Sequence, residues 1–219
     1  MKFPGVLLDG SREKEVVPEL DAACLDGGQL RVMPAAFYAR YRRNDLAVWC
    51  LRRGFYCLPT HELAEWLSAT IGADSAIEIG AGHGALHLAG VPATDSYQQE
   101  DLLMRELYAG LGQATVPYGK HVEKLTALQA VDKYQPTVVL GCWVTHRYTK
   151  EAGGNAWGID EGKLLRKPSV RRYIFVGHER VHEHKPILRI PHSTHRMAFL
   201  YSRATDARDV VWIWEHPEG

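Results

Sequence analysis

The stretch Ser75-Ala76-Ile77-Glu78-Ile79-Gly80-Ala81-Gly82-His83-Gly84 decides how this chain is read. Its first half is a short apolar run suited to a buried strand, and its second half places three glycines within five residues. A strand entering such a turn brings backbone N–H groups close to a ligand, because a Cβ would block the approach or forbid the turn. Two acids sharpen the reading. Glu78 stands where a buried strand would otherwise carry Val or Ile, and a carboxylate there can accept hydrogen bonds from an ammonium group or a bound water. Asp95 ends the next strand candidate, Val91-Pro92-Ala93-Thr94-Asp95, where it can take the two hydroxyls of a ribose.

Outward from this point, strands and helices alternate. Helix is expected for a few residues after Ala85, over Gln98 to Leu111 with Leu102, Leu103, Leu107 and Leu111 apolar, over Ala127 to Tyr134, and from Asp160. Strands are expected at His121 to Leu125, Thr137 to Val144, Tyr173 to Val176, Ala198 to Ser202 and Val210 to Trp214, the last two as a closing hairpin. The nearly continuous apolar run Thr137-Val138-Val139-Leu140-Gly141-Cys142-Trp143-Val144 fits a strand covered on both faces. Upstream, the first 72 residues read as helical: one helix from Pro34 to Arg43, one around Leu46 to Leu51 stopped by Gly54, and one capped by Thr60 and closed by Gly72. The organisation is an α/β domain over residues 73–219, its sheet mostly parallel, behind an N-terminal helical cap over residues 1–72.

Composition narrows the class. The chain has 219 residues, 46% hydrophobic and 24% charged, which suits an ordinary globular domain. Lys+Arg and Asp+Glu are both 26, so no net positive field favours nucleic acid. No apolar run is long enough to span a membrane. Met1-Lys2-Phe3-Pro4-Gly5 lacks the pattern of a signal peptide. The four cysteines form no C-x-x-C pair, so a reduced, cytoplasmic protein is expected.

Glu78-Ile79-Gly80-Ala81-Gly82-His83-Gly84 resembles the E/D-x-G-x-G-x-G signature of class I S-adenosylmethionine-dependent methyltransferases. The resemblance implies a Rossmann-like seven-stranded sheet ending in an antiparallel hairpin, with S-adenosylmethionine as cofactor. It further implies that Glu78, Gly80, Ala81, Gly82 and Gly84 approach the methionine part and that Asp95, with Ser96, holds the ribose. Thr126 and Ala127 stand where the family often has an Asp-Ala pair against the adenine. Cys142 and Trp143 follow the fourth strand, with His146 as the candidate proton acceptor. Two departures are plain. Gly80 to Asp95 spans only 15 residues, against ~20 usual between such a turn and its ribose acid, so the first helix must be stunted. Gly141-Cys142-Trp143-Val144-Thr145-His146 lacks the Asn/Asp-Pro-Pro-aromatic run of amino-methylating members, so the acceptor, small molecule or macromolecule, is not implied.

Other readings compete. Gly80-x-Gly82-x-x-Ala85 meets the looser dinucleotide fingerprint, but Glu78 would then sit under a pyrophosphate. His178-x3-His182-x-His184 could supply metal ligands and a hydrolase, although the charged residues between them suit a polar loop, and no metal is assigned. The Tyr38 to Arg43 segment mixes cations with aromatics in a manner that could stack a nucleotide; a solvated helix face is favoured. A cofactor-binding module without catalysis is the main alternative to the enzyme. The Thr145 to Ile159 connection leaves the sheet at its ligand edge and is read as a lid or substrate loop.

Overall fold

The computed structural model describes residues 8–144, 147–149 and 154–216. The N-terminal part contains α1 (Glu13–Cys24), α2 (Ala35–Tyr38), α3 (Arg43–Arg53) and α4 (His61–Ile71). The single helix expected from Pro34 to Arg43 is instead broken: Arg42 is extended at ψ 142°, and its guanidinium turns back to Asp45 in the first turn of α3. Gly54 ends α3 at φ 71°, a left-handed position that suits glycine. The Thr60 hydroxyl accepts the Leu63 N–H at 3.1 Å and starts α4.

Among the described residues, seven strands form the main sheet: β1 (Ala76–Ile79), β2 (Ala93–Asp95), β3 (Glu123–Lys124), β4 (Val138–Cys142), β5 (Arg172–His178), β6 (Ser193–His195) and β7 (Asp209–Glu215). Their spatial order is β3-β2-β1-β4-β5-β7-β6. The run from β3 to β5 is parallel throughout, and β7 lies antiparallel between β5 and β6. Helices α5 (Leu102–Gly110), α6 (Ala127–Tyr134), α7 (Glu161–Leu165) and the single turn α8 (Glu179–His182) complete the chain. No helix among the described residues is long and apolar enough to cross a membrane.

Side-chain alternation divides the core between the two faces of the sheet. Val138, Leu140, Ile174, Val176, Val211 and Ile213 face α4, where Leu63, Leu67 and Ile71 bury their stripe. Val139, Tyr173, Phe175, Val210, Trp212 and Trp214 face α6 and α7. The antiparallel β5–β7 pair is reinforced by its rings: Tyr173 opposes Trp214 with centroids 5.5 Å apart, and Phe175 opposes Trp212 at 6.0 Å. Such pairs add about 0.5–1.5 kcal/mol each beyond their buried area.

Three expectations are corrected. Between β1 and β2 the chain makes turns with no helix, so the stunted first helix is absent. The leucines of α5 do not form its inner face: Leu102 and Leu103 are 68% and 75% exposed, while Met104 and Tyr108, one helical turn apart, are buried. The closing hairpin is built differently, because β6 rather than Ala198–Ser202 flanks β7. Tyr201 and Ser202 pair with Leu58 and Cys57 in the N-terminal part.

That displacement has an electrostatic cause. The Arg43 guanidinium donates to Asp209 at 2.8 Å and to the Leu200 carbonyl at 3.0 Å, and lies 4.3 Å above the Tyr201 ring. Ser202 donates to the same Asp209 at 2.5 Å. Burial pushes the Asp209 carboxyl pKa up, and Ser202 and Arg43 oppose the rise. Arg43→Met should therefore strand a buried carboxylate and destabilise the fold by about 3–5 kcal/mol, read as a Tm lower by roughly 10 °C. Adding Asp209→Asn should recover part of the loss in the same thermal scan, and a single variant as stable as the wild type would refute the role of this pair.

Candidate functional site

Strand alternation sends Glu78 and Cys142 to the same face as α4, because each stands an even number of residues from Ala76 or Val138 in its strand. Both reach the carboxyl end of the sheet, where open α/β sheets bind their ligands. A cavity of about 420 Å³ lies there, within the usual range for small-molecule sites. Its walls are the ends of β1, β2 and β4, the start of α6, the segment after α3 and the stretch around Gln99 and Tyr118.

Glu78 is 4% exposed, and no hydrogen bond or ion pair reaches its carboxyl from the described residues. Its backbone is fixed, with the Glu78 N–H donating to the Pro92 carbonyl and the Glu78 carbonyl accepting from the Thr94 hydroxyl at 2.9 Å. Burial pushes its pKa up to about 8, and the neighbouring Asp95 carboxyl adds to the rise. A buried acid without a partner at a cavity wall is costly to fold and suited to receive a donor.

Asp95 is engaged. One carboxyl oxygen accepts the Gly82 N–H at 2.9 Å and the other accepts the Tyr97 N–H at 2.8 Å. Burial raises its pKa, and these backbone bonds oppose the rise. The glycine turn is further held by Ala81 N–H to the Thr94 carbonyl at 3.0 Å and Gly84 N–H to the Ala81 carbonyl at 2.8 Å. The Ala85 N–H donates to His83 Nδ1 at 3.0 Å. Burial pushes His83 down to about 4, with the Cys57 backbone opposing the fall, so the imidazole is held neutral.

The expected residues Glu78, Gly80, Ala81, Gly82, Asp95, Ser96, Thr126, Ala127, Cys142 and Trp143 are brought together around the cavity. Gly84 is not. A Cβ there would stand 2.5 Å from the His121 ring and 2.7 Å from Val122, so this glycine serves packing against the stretch before β3. The Thr126 hydroxyl is also differently used: it donates to Gln129 Oε1 at 2.8 Å within a capping box that starts α6. The Cys142 thiol is raised well above its ordinary value by burial, with Cys57 and Glu78 adding, which makes it a poor nucleophile. Trp143 adopts φ 51°, and its ring packs against His182 at 5.2 Å.

His146 lies outside the described residues. Of the connection read as a loop, Arg147–Thr149 and Gly154–Trp157 pair as an antiparallel hairpin, and Gly158 and Ile159 then line the cavity.

Sequence reasoning missed the wall contributed by Tyr56, Cys57, Pro59, Gln99 and Tyr118. Gln99 Nε2 donates to the Tyr56 hydroxyl at 3.1 Å, its Oε1 accepts the Val116 N–H at 2.9 Å, and its own N–H donates to the Tyr118 hydroxyl at 3.1 Å. Tyr118 stacks on Tyr97 with centroids 4.0 Å apart. The amide and aromatic run Tyr97-Gln98-Gln99, two residues after Asp95, was the available signal.

The remaining constellations do not converge. His178 is buried with its Nε2 2.7 Å from Asp206, His182 turns back to the His178 backbone, and the His184 side chain is 73% exposed beside Glu183. The basic and aromatic segment is neutralised from within: Arg42 pairs with Asp45, Arg43 with Asp209, Arg52 with Glu13 and Arg53 with Asp21, while Tyr38 is buried. Comparison with protein-family models and with curated proteins finds no match for this chain.

The raised pKa of Glu78 carries a prediction. The folded state holds this proton up to about pH 8, whereas an unfolded Glu releases it near ~4.3. Stability from this group is therefore present below the unfolded value and is lost as pH rises towards 8. Glu78→Gln should remove the dependence, so that its Tm advantage over the wild type grows from pH 5 to pH 9 by several degrees, roughly 2–4 °C per kcal/mol. Parallel Tm curves for the two proteins would contradict the assignment.

Proposed function

We propose that this chain is an S-adenosylmethionine-dependent methyltransferase of the class I kind. The reading is supported by the sheet order, with β7 inserted antiparallel beside β5, and by a cavity at the ends of β1, β2 and β4. One observation carries it: Glu78, Asp95 and Asp160 line the cavity, and no lysine or arginine does among the residues whose side chains are described, 8–144 and 158–216. A dinucleotide brings a pyrophosphate, and the charged side chains described in this lining are carboxylates. A ligand bearing a sulfonium and an ammonium, with a ribose to bind, meets complementary charge.

In this reading the bound cofactor supplies an activated methyl group, and the chain's own groups bind and orient. Asp95 keeps its backbone bonds and has lone pairs left for the ribose hydroxyls. Glu78, ionised by the approach of an ammonium group, becomes its acceptor. Ser96 and Ala127 flank the nucleoside end, while Cys142 and Trp143 line the side towards Gly158 and Ile159. Because His83 Nδ1 accepts the Ala85 N–H and burial pushes its pKa down to about 4, it is poorly suited to take an acceptor's proton. His146 is the residue proposed for that step, because histidine is the side chain whose ordinary range, ~6.5, suits proton removal near neutral pH.

Calorimetry should find S-adenosylmethionine bound and NAD not bound. Asp95→Ala should weaken binding at least roughly tenfold. Binding should strengthen as pH rises from 6 towards 8 and should release a proton from Glu78. A labelled-methyl transfer assay over small-molecule, protein and nucleic-acid pools then tests catalysis, with His146→Ala expected to slow turnover about 10²–10⁴-fold. No binding of the sulfur cofactor would end the proposal, and equal transfer by wild type and His146→Ala would remove that residue from it.

A further inference from the structure

We propose that Cys57 and Cys142 are a redox-active thiol pair, which a small hydroperoxide converts into a disulfide joining two walls of the cavity. The inference is independent of the cofactor reading above, because it rests on the two sulfurs and on the space they share.

All four cysteines are free thiols, and they fall into two environments. Cys24 and Cys50 are fully buried among the N-terminal helices, packed with Leu20, Tyr38 and Trp49, and neither is part of the cavity wall. Cys57 and Cys142 both line the cavity, one from the segment after α3 and the other from the end of β4. Their side chains belong to one apolar cluster on the α4 face of the sheet, and the two thiols are in hydrogen-bonding contact. No C-x-x-C spacing marks the pair, because folding brings it together from distant segments.

The backbone behind each sulfur is fixed. Cys57 pairs with Ser202, and the neighbouring Tyr56 carbonyl accepts the Arg203 N–H at 3.0 Å. Cys142 lies opposite Val176 in the β4–β5 pair, and the Val176 carbonyl accepts the Trp143 N–H at 2.8 Å. Two groups held in contact on anchored backbone react at a high effective concentration. The cavity supplies the access that structural buried cysteines lack.

The surroundings divide the roles. Burial, Cys57 and Glu78 together hold the Cys142 thiol protonated, so Cys57 attacks first and Cys142 resolves. The Cys57 thiolate attacks one peroxide oxygen and the O–O bond breaks. The released hydroxide takes up the proton that Cys57 has lost and leaves as water, and Cys57 becomes a sulfenic acid. The Cys142 sulfur then attacks the Cys57 sulfur: the S–S bond forms, the S–O bond breaks, and the hydroxyl leaves as water with the Cys142 proton. Two thiols lose two electrons and two protons, and one peroxide becomes two waters. The bridge ties the N-terminal segment to β4 on the face that carries Glu78.

The test treats the full chain, reduced and desalted, with a slight excess of hydrogen peroxide. The product is alkylated in denaturant and mapped by peptide mass spectrometry without reduction. Cys57 and Cys142 should appear in one linked peptide pair, with Cys24 and Cys50 alkylated, and dithiothreitol should restore both lost thiols. The thermal transition should rise by roughly 5 °C or more, since a link between distant segments restricts the unfolded chain. Cys57→Ser and Cys142→Ser should each abolish both the link and the rise. If a variant does not fold, the peptide map of the wild type decides alone. Four free thiols after treatment, a link through Cys24 or Cys50, or a sulfinic acid at Cys57 without a link would each overturn the proposal.

Discussion

The short chain between β1 and β2 imposes the constraint on which the site depends. It is too short for the usual helix, so the glycine turn needs another support, and the Asp95 carboxylate provides it by accepting the N–H groups of Gly82 and Tyr97. Bonds from backbone N–H to an ionised carboxylate are stronger than neutral ones, and this pair ties the end of β2 to the turn after β1. Ala81 to Thr94 and Ala85 to His83 extend the same lattice. The turn is thereby held, and the N–H groups of Ala81, Gly82, Gly84 and Ala85 are used in holding it. A single substitution at Asp95 therefore acts on the wall of the cavity as well as on any ligand hydroxyl.

The cavity has a second parent in the N-terminal helices. Gly54 ends α3, and the segment after it carries Tyr56, Cys57 and Pro59 to the cavity wall. That segment is held by the pairing of Cys57 and Leu58 with Ser202 and Tyr201, by Thr60 Oγ1 donating to the Phe199 carbonyl at 3.0 Å, and by Arg43 on Asp209. The stretch before β3 is joined to it as well, since the Ala114 N–H donates to the Leu51 carbonyl at 3.0 Å. One side of the site is thus built by the strands, and the other by helices that lean on the end of the chain.

Local signals marked the strands and most helices well. Apolar runs at Ile77, Val139 and Ile174 were long enough to read, and Thr60, Gly72, Thr126 and Asp160 each bound their helix through a local hydrogen bond or cap geometry. The errors came where distant partners decided. Ala198 to Ser202 has strand composition, yet Arg43 and Asp209 draw Tyr201 and Ser202 to the N-terminal part. The leucines of α5 have the right spacing for a core stripe, yet Met104 and Tyr108 form its buried side, with Met104 at the cavity. Glu78 and Asp95 could be singled out because a buried acid breaks an apolar pattern. Tyr56 could not, because nothing near it in sequence records that it meets Gln99 across the fold at 3.1 Å.

The pairing of the N-terminal helices with residues 199–209 sets an order of events during synthesis. The chain leaves the ribosome from its N-terminus at about 5–20 residues per second, so α1, α3 and α4 are exposed before Leu200, Tyr201 and Asp209 exist. Arg43 and Asp209 are 166 residues apart, and closing so long a loop is entropically slow. Until it closes, the buried faces of Leu46, Leu58 and Tyr38 have no cover from Tyr201. The N-terminal helices are made well before the segment that completes their core, and a nascent chain of this design has reason to be attended by chaperones until β7 has been added.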